Sequence, residues 1–426
     1  MKKKTVFLNY LSVFIITAGM CSPVSAQDTL RINLPDAEKQ FINNNLLLLS
    51  QKYNIDMAQA MVIQAKLYNN PNLSFSGDIY NPDKKKYFDV GGNAGEYAVS
   101  VQQMIILAGK RNKQIKLAQS GVQLAAEQFY DLLRTLRYSL RSNFFNLFYL
   151  QNSLSSYQQQ VNSLEKLNTA YQELQQKGVV SFKDAMRIQS LLYSLKAEQA
   201  TLQNQIHDVE AEMQLLLQNN KSYFIPVFDK TARDISLHQQ GLGDLIDTAY
   251  NNRYDMKMAE TGLLMNQQNY SLQKAMAVPD LLTGVGFDKN GSYVTNYSFF
   301  NVAIDLPFFN RNQGNIKSAK TSIDQGKTSL QLKKLTVENE VQVAYAKALN
   351  SDRTLQSLDA SFPSQLEKLL TGVTENFQKR NISLLEFTDF YDSYKQNILQ
   401  LNQLQNDKMQ AVEALNFSIG KTIFNP

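Results

Sequence analysis

The chain has 426 residues, 43 Lys and Arg against 38 Asp and Glu for a formal net charge of +5, one Cys and no Trp. This near balance leaves no electrostatic footprint for nucleic acid, and one cysteine excludes disulfide stapling. Such a chain has to be stabilised by packing and assembly.

The first 26 residues read as an export signal. Lys2, Lys3 and Lys4 form the charged start, Val6 to Met20 the apolar stretch, and Val24-Ser25-Ala26 a small-residue cleavage site before Gln27. Lipidation of Cys21 fits less well, because Met20 is bulky where such signals want a small residue. Cleavage removes the only cysteine and lowers the net charge to +2.

Strands are expected next, over about 72–106. Leu73, Phe75 and Ile79 alternate with Ser74, Ser76, Asp78 and Tyr80; a Pro/Lys/Gly-rich loop from Pro82 to Gly95 then leads into Tyr97, Val99 and Val101. A helical hairpin follows over about 108–219, proline-free from Ala108 to Asn219, with helices of roughly 65 and 40 residues joined near Gly178. The longer is of order 100 Å. Leu147, Leu150, Leu154, Tyr157, Val161, Leu164, Leu167, Tyr171 and Leu174 keep the three-and-four spacing of a coiled-coil seam. Ile188, Leu192, Leu195, Leu202, Ile206, Val209, Met213 and Leu216 return it, interrupted at Gln199.

The second half follows the same plan, with strands over about 281–307 and a helical hairpin over about 312–420. Thr283, Val285 and Phe287 turn through Asp288 to Gly291 and come back as Phe300, Val302, Ile304 and Leu306. Leu366, Leu370, Val373 and Phe377 form the outgoing seam, Phe387, Tyr391, Tyr394, Ile398 and Leu401 the returning one, and Pro363 should kink or interrupt the outgoing helix. Adding 201 carries Val101, Ile115, Lys116 and Ala118 onto Val302, Ile316, Lys317 and Ala319. Leu136, Leu140, Phe144 and Phe148 fall likewise on Val337, Val341, Tyr345 and Leu349. A period near 200 is domain duplication, not a solenoid repeat. The organisation expected is 1–26 signal, 27–230 first repeat and 231–426 second repeat.

No segment after the signal approaches the roughly 18 to 20 apolar residues of a membrane helix. If the chain spans a membrane it does so with strands, whose period-two pattern suits a barrel wall between lipid and water. Taken alone, the same pattern also fits soluble hairpins with one face on a core. Four strands cannot close a barrel, and an open edge is not tolerated in lipid. Membrane-embedded strands therefore require an oligomer, and three copies would supply twelve strands.

This exported, duplicated strand-strand-helix-helix chain resembles the TolC-type outer-membrane efflux protein family over essentially its whole mature length. The carrying motifs are the strand-to-helix junctions, Leu107-Ala-Gly-Lys-Arg111 and Pro307-Phe-Phe-Asn-Arg311, and the turns at the far helix tips. The family turn resembles Gly-x-x-Ser/Thr-x-x-Asp. Here Gly178, Ser181 and Asp184 match it in the first half, while Arg380, Ser383 and Glu386 stand in its places in the second. The resemblance implies a mainly α fold with a membrane β-barrel, assembled as a trimeric channel-tunnel. It also implies that 27–55, 219–260 and the C-terminal end pack as a belt, and that the helices extend from the outer membrane of a Gram-negative bacterium into the periplasm. The partners implied are an inner-membrane pump and a periplasmic adaptor that contacts the tips near 176–186 and 378–389, through Gly178, Ser181, Asn381 and Ser383. A periplasmic coiled-coil tether or adaptor without a pore is the alternative, and it needs one helical hairpin where this chain has two.

The tip residues also have a reading of their own. Ser181 with Asp184, and Ser383 with Glu386, have the spacing of a capping box, which by itself accounts for these four side chains. Glu386 and Asp389 lie one turn apart on one helix face, where the resemblance implies a carboxylate ring at the periplasmic aperture, with Asp184 and Arg380 beside it. Such a ring favours cations, and pairing with Arg380 would hold the aperture shut. The first half carries Arg187 in the position of Asp389.

Catalysis finds no foothold. His207 and His238 are the only histidines; His207 reads as a surface residue, and there is no His-x-x-x-His pair, nucleophile elbow, phosphate loop or dinucleotide fingerprint. The expectation is no enzyme, no cofactor and no metal.

Overall fold

The computed structural model describes residues 28–91, 95–228, 237, 240–359 and 361–424. The expected signal segment with Cys21, and His238, lie outside the described residues.

In chain order the elements are β1 (Asp28–Ile32), α1 (Leu34–Asn44), α2 (Leu46–Lys66), β2 (Asn72–Gly77), β3 (Tyr80–Asn81), β4 (Lys86–Tyr87), β5 (Tyr97–Ile105), α3 (Lys110–Gln176) and α4 (Phe182–Leu217). Then come β6 (Ser222–Pro226), α5 (Leu242–Asn252), α6 (Tyr254–Met276), β7 (Leu281–Asp288), β8 (Tyr297–Ile304), α7 (Gln313–Gln356), α8 (Phe362–Gln378) and α9 (Leu384–Ile419). The two helices expected at roughly 65 and 40 residues have 67 and 36. The outgoing helix of the second half is interrupted between Gln356 and Phe362, and Pro363 takes the first turn of α8, where its missing N–H leaves no bond unmade. Helices α2 and α6 were not foreseen. Their apolar residues, such as Leu47, Leu49, Met57 and Ile63, run around the helix and form no single stripe. The small β3–β4 hairpin inside the Pro82–Gly95 loop was also missed, since each strand has only 2 residues.

The chain forms two compact units, and these cut across the two expected repeats. The first comprises residues up to Asn44, Asn143–Lys230 and Leu370–Asn402. Here β1 and β6 pair in parallel, Asp28 with Ser222 through Ile32 with Pro226. Helix α1 is tied to the end of α4 by Gln40, whose amide donates to the Leu217 carbonyl at 3.1 Å, and buries Phe41 completely. The heptad seam is real. Tyr157, Val161 and Leu164 of α3, and Ile188, Leu192, Leu195, Leu202 and Ile206 of α4, are all buried. Gln199, the break in that seam, donates to Gln158 Oε1 across the helix pair at 2.8 Å. One position away, Glu198 accepts from Tyr157 Oη at 3.1 Å and from Lys395 Nζ at 3.0 Å. Burial first, and then the Glu198 charge, push the Tyr157 phenol up to about 12.

The second unit comprises Asn45–Ser142, Thr231–Leu369 and Gln403–Pro426. Its core gathers Leu245 and Ala249 of α5, Met256 of α6, Val337, Val341 and Ala348 of α7, and Val412, Leu415 and Ile419 of α9. At the edge of that core Arg253 is buried, gripping Asp255 through Nε and Nη2 at 2.9 and 2.7 Å and Glu340 at 2.6 Å. Arg141 and Glu413 form a second buried pair, with two bonds of 2.6 and 2.7 Å.

The four-stranded sheet of this unit runs β2-β5-β7-β8, every neighbour antiparallel. Its register aligns Leu73, Val101, Val285 and Phe300 in one row across all four strands, with Phe75, Val99 and Phe287 in the next but one. The first row is bare, at 70, 43, 59 and 69% exposure. The opposite face carries Ser74, Ser100, Gln102, Gly284 and Asn301, with the Ser74 and Ser100 hydroxyls bonded at 2.7 Å. The Phe299 ring lies over Gly286 on that face, so close that a Cβ there would run into it. The alternation of apolar and polar residues expected from the strands thus runs across the whole sheet.

Two outcomes follow for stability. Glu413→Gln takes the Glu413 charge away from the buried Arg141 guanidinium and should cost about 3 to 5 kcal/mol, while the double change Arg141→Met with Glu413→Leu recovers most of it, as read from denaturant unfolding. Burial alone would raise the Asp255 carboxyl, but Arg253 first, then Arg134 and Lys333, hold it well below the ordinary carboxylate range. Its contribution is therefore complete above the unfolded value of about 4 and is lost as pH falls below that. The stability gap between wild type and Asp255→Asn should be constant from pH 7 to about 5 and shrink below about pH 4.

Candidate functional site

The candidate site lies at the helix-hairpin tips of the first unit. Two turns of the same construction stand there. In one, the amides of Gly178 and Val179 donate to the carbonyls of Gln175 and Leu174, both at 2.9 Å. In the other, Arg380 and Asn381 donate to Phe377 and Asn376 at 2.9 and 2.8 Å. Both are Schellman closures, which need a left-handed residue just past the helix. Gly178 supplies it with φ +70°, and Arg380, in the position where glycine was expected, adopts φ +61°.

Each turn then opens its returning helix with a serine cap. The Asp184 amide donates to Ser181 Oγ at 3.1 Å, and the Ser181 hydroxyl donates to the Asp184 carboxylate at 2.7 Å. In the second turn the box is reciprocal: the Glu386 amide donates to Ser383 Oγ at 3.2 Å, and the Ser383 amide to Glu386 Oε2 at 2.7 Å. Those bonds from Ser383 lower the Glu386 carboxyl, which keeps it ionised. Asp389 is exposed one turn further along. The expected pairing of Arg380 with an acid is not made within the chain, where it forms no ion pair among the described residues. Instead Asp184 and Arg380 both act on the Tyr171 phenol, which burial raises first.

A stack of rings holds the two turns in register. Tyr171 lies parallel to Phe377 at 5.5 Å, Phe377 to Phe387 at 4.3 Å, and Tyr391 follows at 5.7 Å. Tyr391 Oη then donates to the Gln160 carbonyl at 3.1 Å. A cavity of about 300 Å3 opens beside the stack, lined by Leu174, Val180 and Arg380 among others. The polar tip residues singled out in the sequence are surrounded by apolar ones that were missed: Val179, Phe182, Leu385 and Phe390 are all exposed. Their signal was present, since Phe182 and Leu385 fall outside the seam positions of their helices.

His207 is half exposed and lies 3.4 Å from Glu210. Among the described residues no group of three His, Cys, Asp or Glu is arranged to hold a metal.

The model of the family described as outer membrane efflux protein matches this chain over residues 38–218 and 245–421. The cobalt-zinc-cadmium resistance protein CzcC of Cupriavidus metallidurans is 21% identical over 354 residues, covering 81% of this chain and 80% of that protein. Among solved structures, the Campylobacter jejuni CmeC outer membrane channel has TM-score 0.75 at 14% identity, covering 92% of this chain and 87% of that one. A membrane protein from Pseudomonas aeruginosa has TM-score 0.73 at 16% identity, with 91 and 92% covered. At these identities the structures establish the fold.

The tip geometry sets the size of three substitutions. Arg380→Gly relieves a left-handed residue and should stabilise the second turn by up to about 1 kcal/mol, whereas Gly178→Ala should cost about 1 kcal/mol in the first. Ser383→Ala removes the cap and should cost about 1 kcal/mol. Hydrogen exchange reads these changes directly: the amides of residues 380–387 should exchange faster in Ser383→Ala and slower in Arg380→Gly, and those of residues 178–185 faster in Gly178→Ala.

Proposed function

The chain belongs to the outer membrane efflux protein family, and on that premise we propose that it is the passive exit duct of a three-part efflux or type I secretion assembly. The observation that carries the reading is the sheet, whose bare apolar row crosses four strands and whose outer strands β2 and β8 each have an edge left unpaired among the described residues. Because the strands alternate in direction, β8 of one copy meets β2 of the next antiparallel, and three copies close a twelve-strand barrel in the outer membrane. No step of chemistry is assigned to the chain, which acts as a conduit for substrate delivered by an inner-membrane pump. The family match over both halves fits two structural repeats, 27–230 and 231–426, and gives the tether alternative no support.

In this reading Glu386 and Asp389 ring the periplasmic aperture, six carboxylates from three copies, with Asp184 and Arg380 beside them. The ring raises the local concentration of cations and repels anions. Cobalt, zinc and cadmium, named for the Cupriavidus relative, carry that sign of charge. The adaptor docks on the tips at Gly178, Ser181, Asn381 and Ser383, and the exposed Val179, Phe182 and Leu385 give that surface its apolar part.

Two measurements test the proposal. Mass determination of detergent-extracted protein by light scattering, corrected for bound detergent, is expected to give a trimer; a monomer soluble without detergent would overturn it. In planar bilayers the trimer is expected to pass cations in preference to anions, and Glu386→Gln with Asp389→Asn should bring that ratio towards unity. Unchanged selectivity would remove these two residues from the aperture while leaving the duct.

A further inference from the structure

The second unit holds a cavity of about 450 Å3 to which the conduit assigns no role. One wall is a face of α3 on which Tyr130, Arg134, Arg137 and Arg141 follow at three- and four-residue spacing. The start of α6 supplies Tyr254, and Lys421 closes the site just beyond α9.

Two of the three arginines are committed. Arg141 is bound twice to Glu413, and Arg134 holds Asp131 at 2.7 Å, donates to the Phe417 carbonyl at 2.8 Å and lies over the Phe417 ring at 4.2 Å. Arg137 is not committed: its Nε is shut off from solvent and has no hydrogen-bond partner. Lys421, exposed at the rim, is likewise in no ion pair among the described residues. Among the described residues the only carboxylate lining the cavity, that of Glu413, is already taken by Arg141. A buried guanidinium donor without a partner is costly, so the site is built for an acceptor that comes from outside it.

The rest of the wall is aromatic. Tyr130 stacks on Tyr254 at 4.8 Å, and Tyr138 on Phe417 at 4.8 Å. The volume is many times the roughly 30 Å3 of one water and falls in the range of about 300 to 1,000 Å3 of small-molecule sites. A lone inorganic ion would leave it mostly empty.

We infer that this cavity binds an oxyanion carried on a ring-sized apolar body, with Arg137 and Lys421 taking the charge and the two aromatic pairs flanking the body. A guanidinium with a free edge and a mobile ammonium are suited to a carboxylate or sulfonate. The oxyanion has two sources, a free organic anion or a carboxylate side chain presented by a neighbouring copy.

The test is calorimetric titration of the detergent-solubilised, assembled protein with 2-naphthoate, and with 2-naphthylmethanol as its uncharged counterpart. Naphthoate is expected to bind saturably and the alcohol about tenfold more weakly or worse. Arg137→Met, and independently the rim variant Lys421→Gln, should each weaken naphthoate binding, Arg137→Met by about tenfold or more. If wild type binds no naphthoate, while Arg137→Met loses the detergent-solubilised oligomer that Arg137→Lys keeps, the oxyanion comes from a neighbouring copy and the site stands. Equal binding of acid and alcohol, or naphthoate binding unchanged in both variants, overturns the inference. So does absence of naphthoate binding with oligomers that are equally stable in all three Arg137 forms, or equally lost in Arg137→Met and Arg137→Lys.

Discussion

The rest of the structure depends on one constraint: a four-stranded antiparallel sheet with a bare apolar face and two open edges is untenable as a single copy. In water the row Leu73, Val101, Val285 and Phe300 exposes contiguous apolar surface of the kind that marks an interface. In lipid that row is satisfied, but the free N–H and C=O groups along β2 and β8 are not, at several kcal/mol for each group. Only joining edge to edge with further copies meets both conditions. Strand direction alternates from β2 to β8, so identical copies add without a parallel mismatch. The small residues of the other face, Gly284, Ser100 and Ser74, leave room on the side that does not meet lipid.

The same economy appears at the helix tips. Two turns with different residues reach the same hydrogen-bond pattern, which shows that the backbone closure is what the site requires and that glycine is only the cheapest way to meet it. Arg380 bears a left-handed φ at a cost of order 1 kcal/mol. The stacked rings of Phe377 and Phe387, one on each side of the turn, offset that cost by fixing its two helices against each other. The arginine thereby brings a positive charge to the tip, within electrostatic reach of the Tyr171 phenol on which Asp184 also acts.

How much of this was legible in the sequence follows from which signals are local. The long helices, their break before Pro363, the capping serines and the strand alternation all come from nearest-neighbour spacing, and each is where the spacing puts it. Helices α2 and α6 were hidden because a helix with apolar residues all round gives no amphipathic period. The interruption at Gln199 was visible, but its partner Gln158 was not, since pairing across a helix hairpin depends on the register of two segments 41 residues apart in sequence. For the same reason Arg141 and Glu413, separated by 272 positions, could not be matched in advance. The exposed apolar tip residues Val179, Phe182, Leu385 and Phe390 are a different case: they lie off the seam, and seam spacing marks what is buried without saying what covers the residues outside it.

Those polar cross-links bear on a problem that long helices create for themselves. A seam of leucines repeating every three and four residues is nearly as well packed after sliding by one heptad, so apolar burial alone specifies its register weakly. Gln199 with Gln158, and Glu198 with Tyr157 and Lys395, are satisfied at only one height of the first unit. A slip by a heptad would leave each of these groups facing leucine or solvent and would break a charge-assisted bond worth more than a single apolar contact. In the second unit Arg141 and Glu413 do the same between α3 and α9, and because both are buried the slipped state would carry two unpaired charges. Each link contributes less to stability than a well-packed leucine would, yet it makes the alternative registers worse by more than it costs. For helices whose tips must present paired turns at one level, that difference decides whether the tips meet.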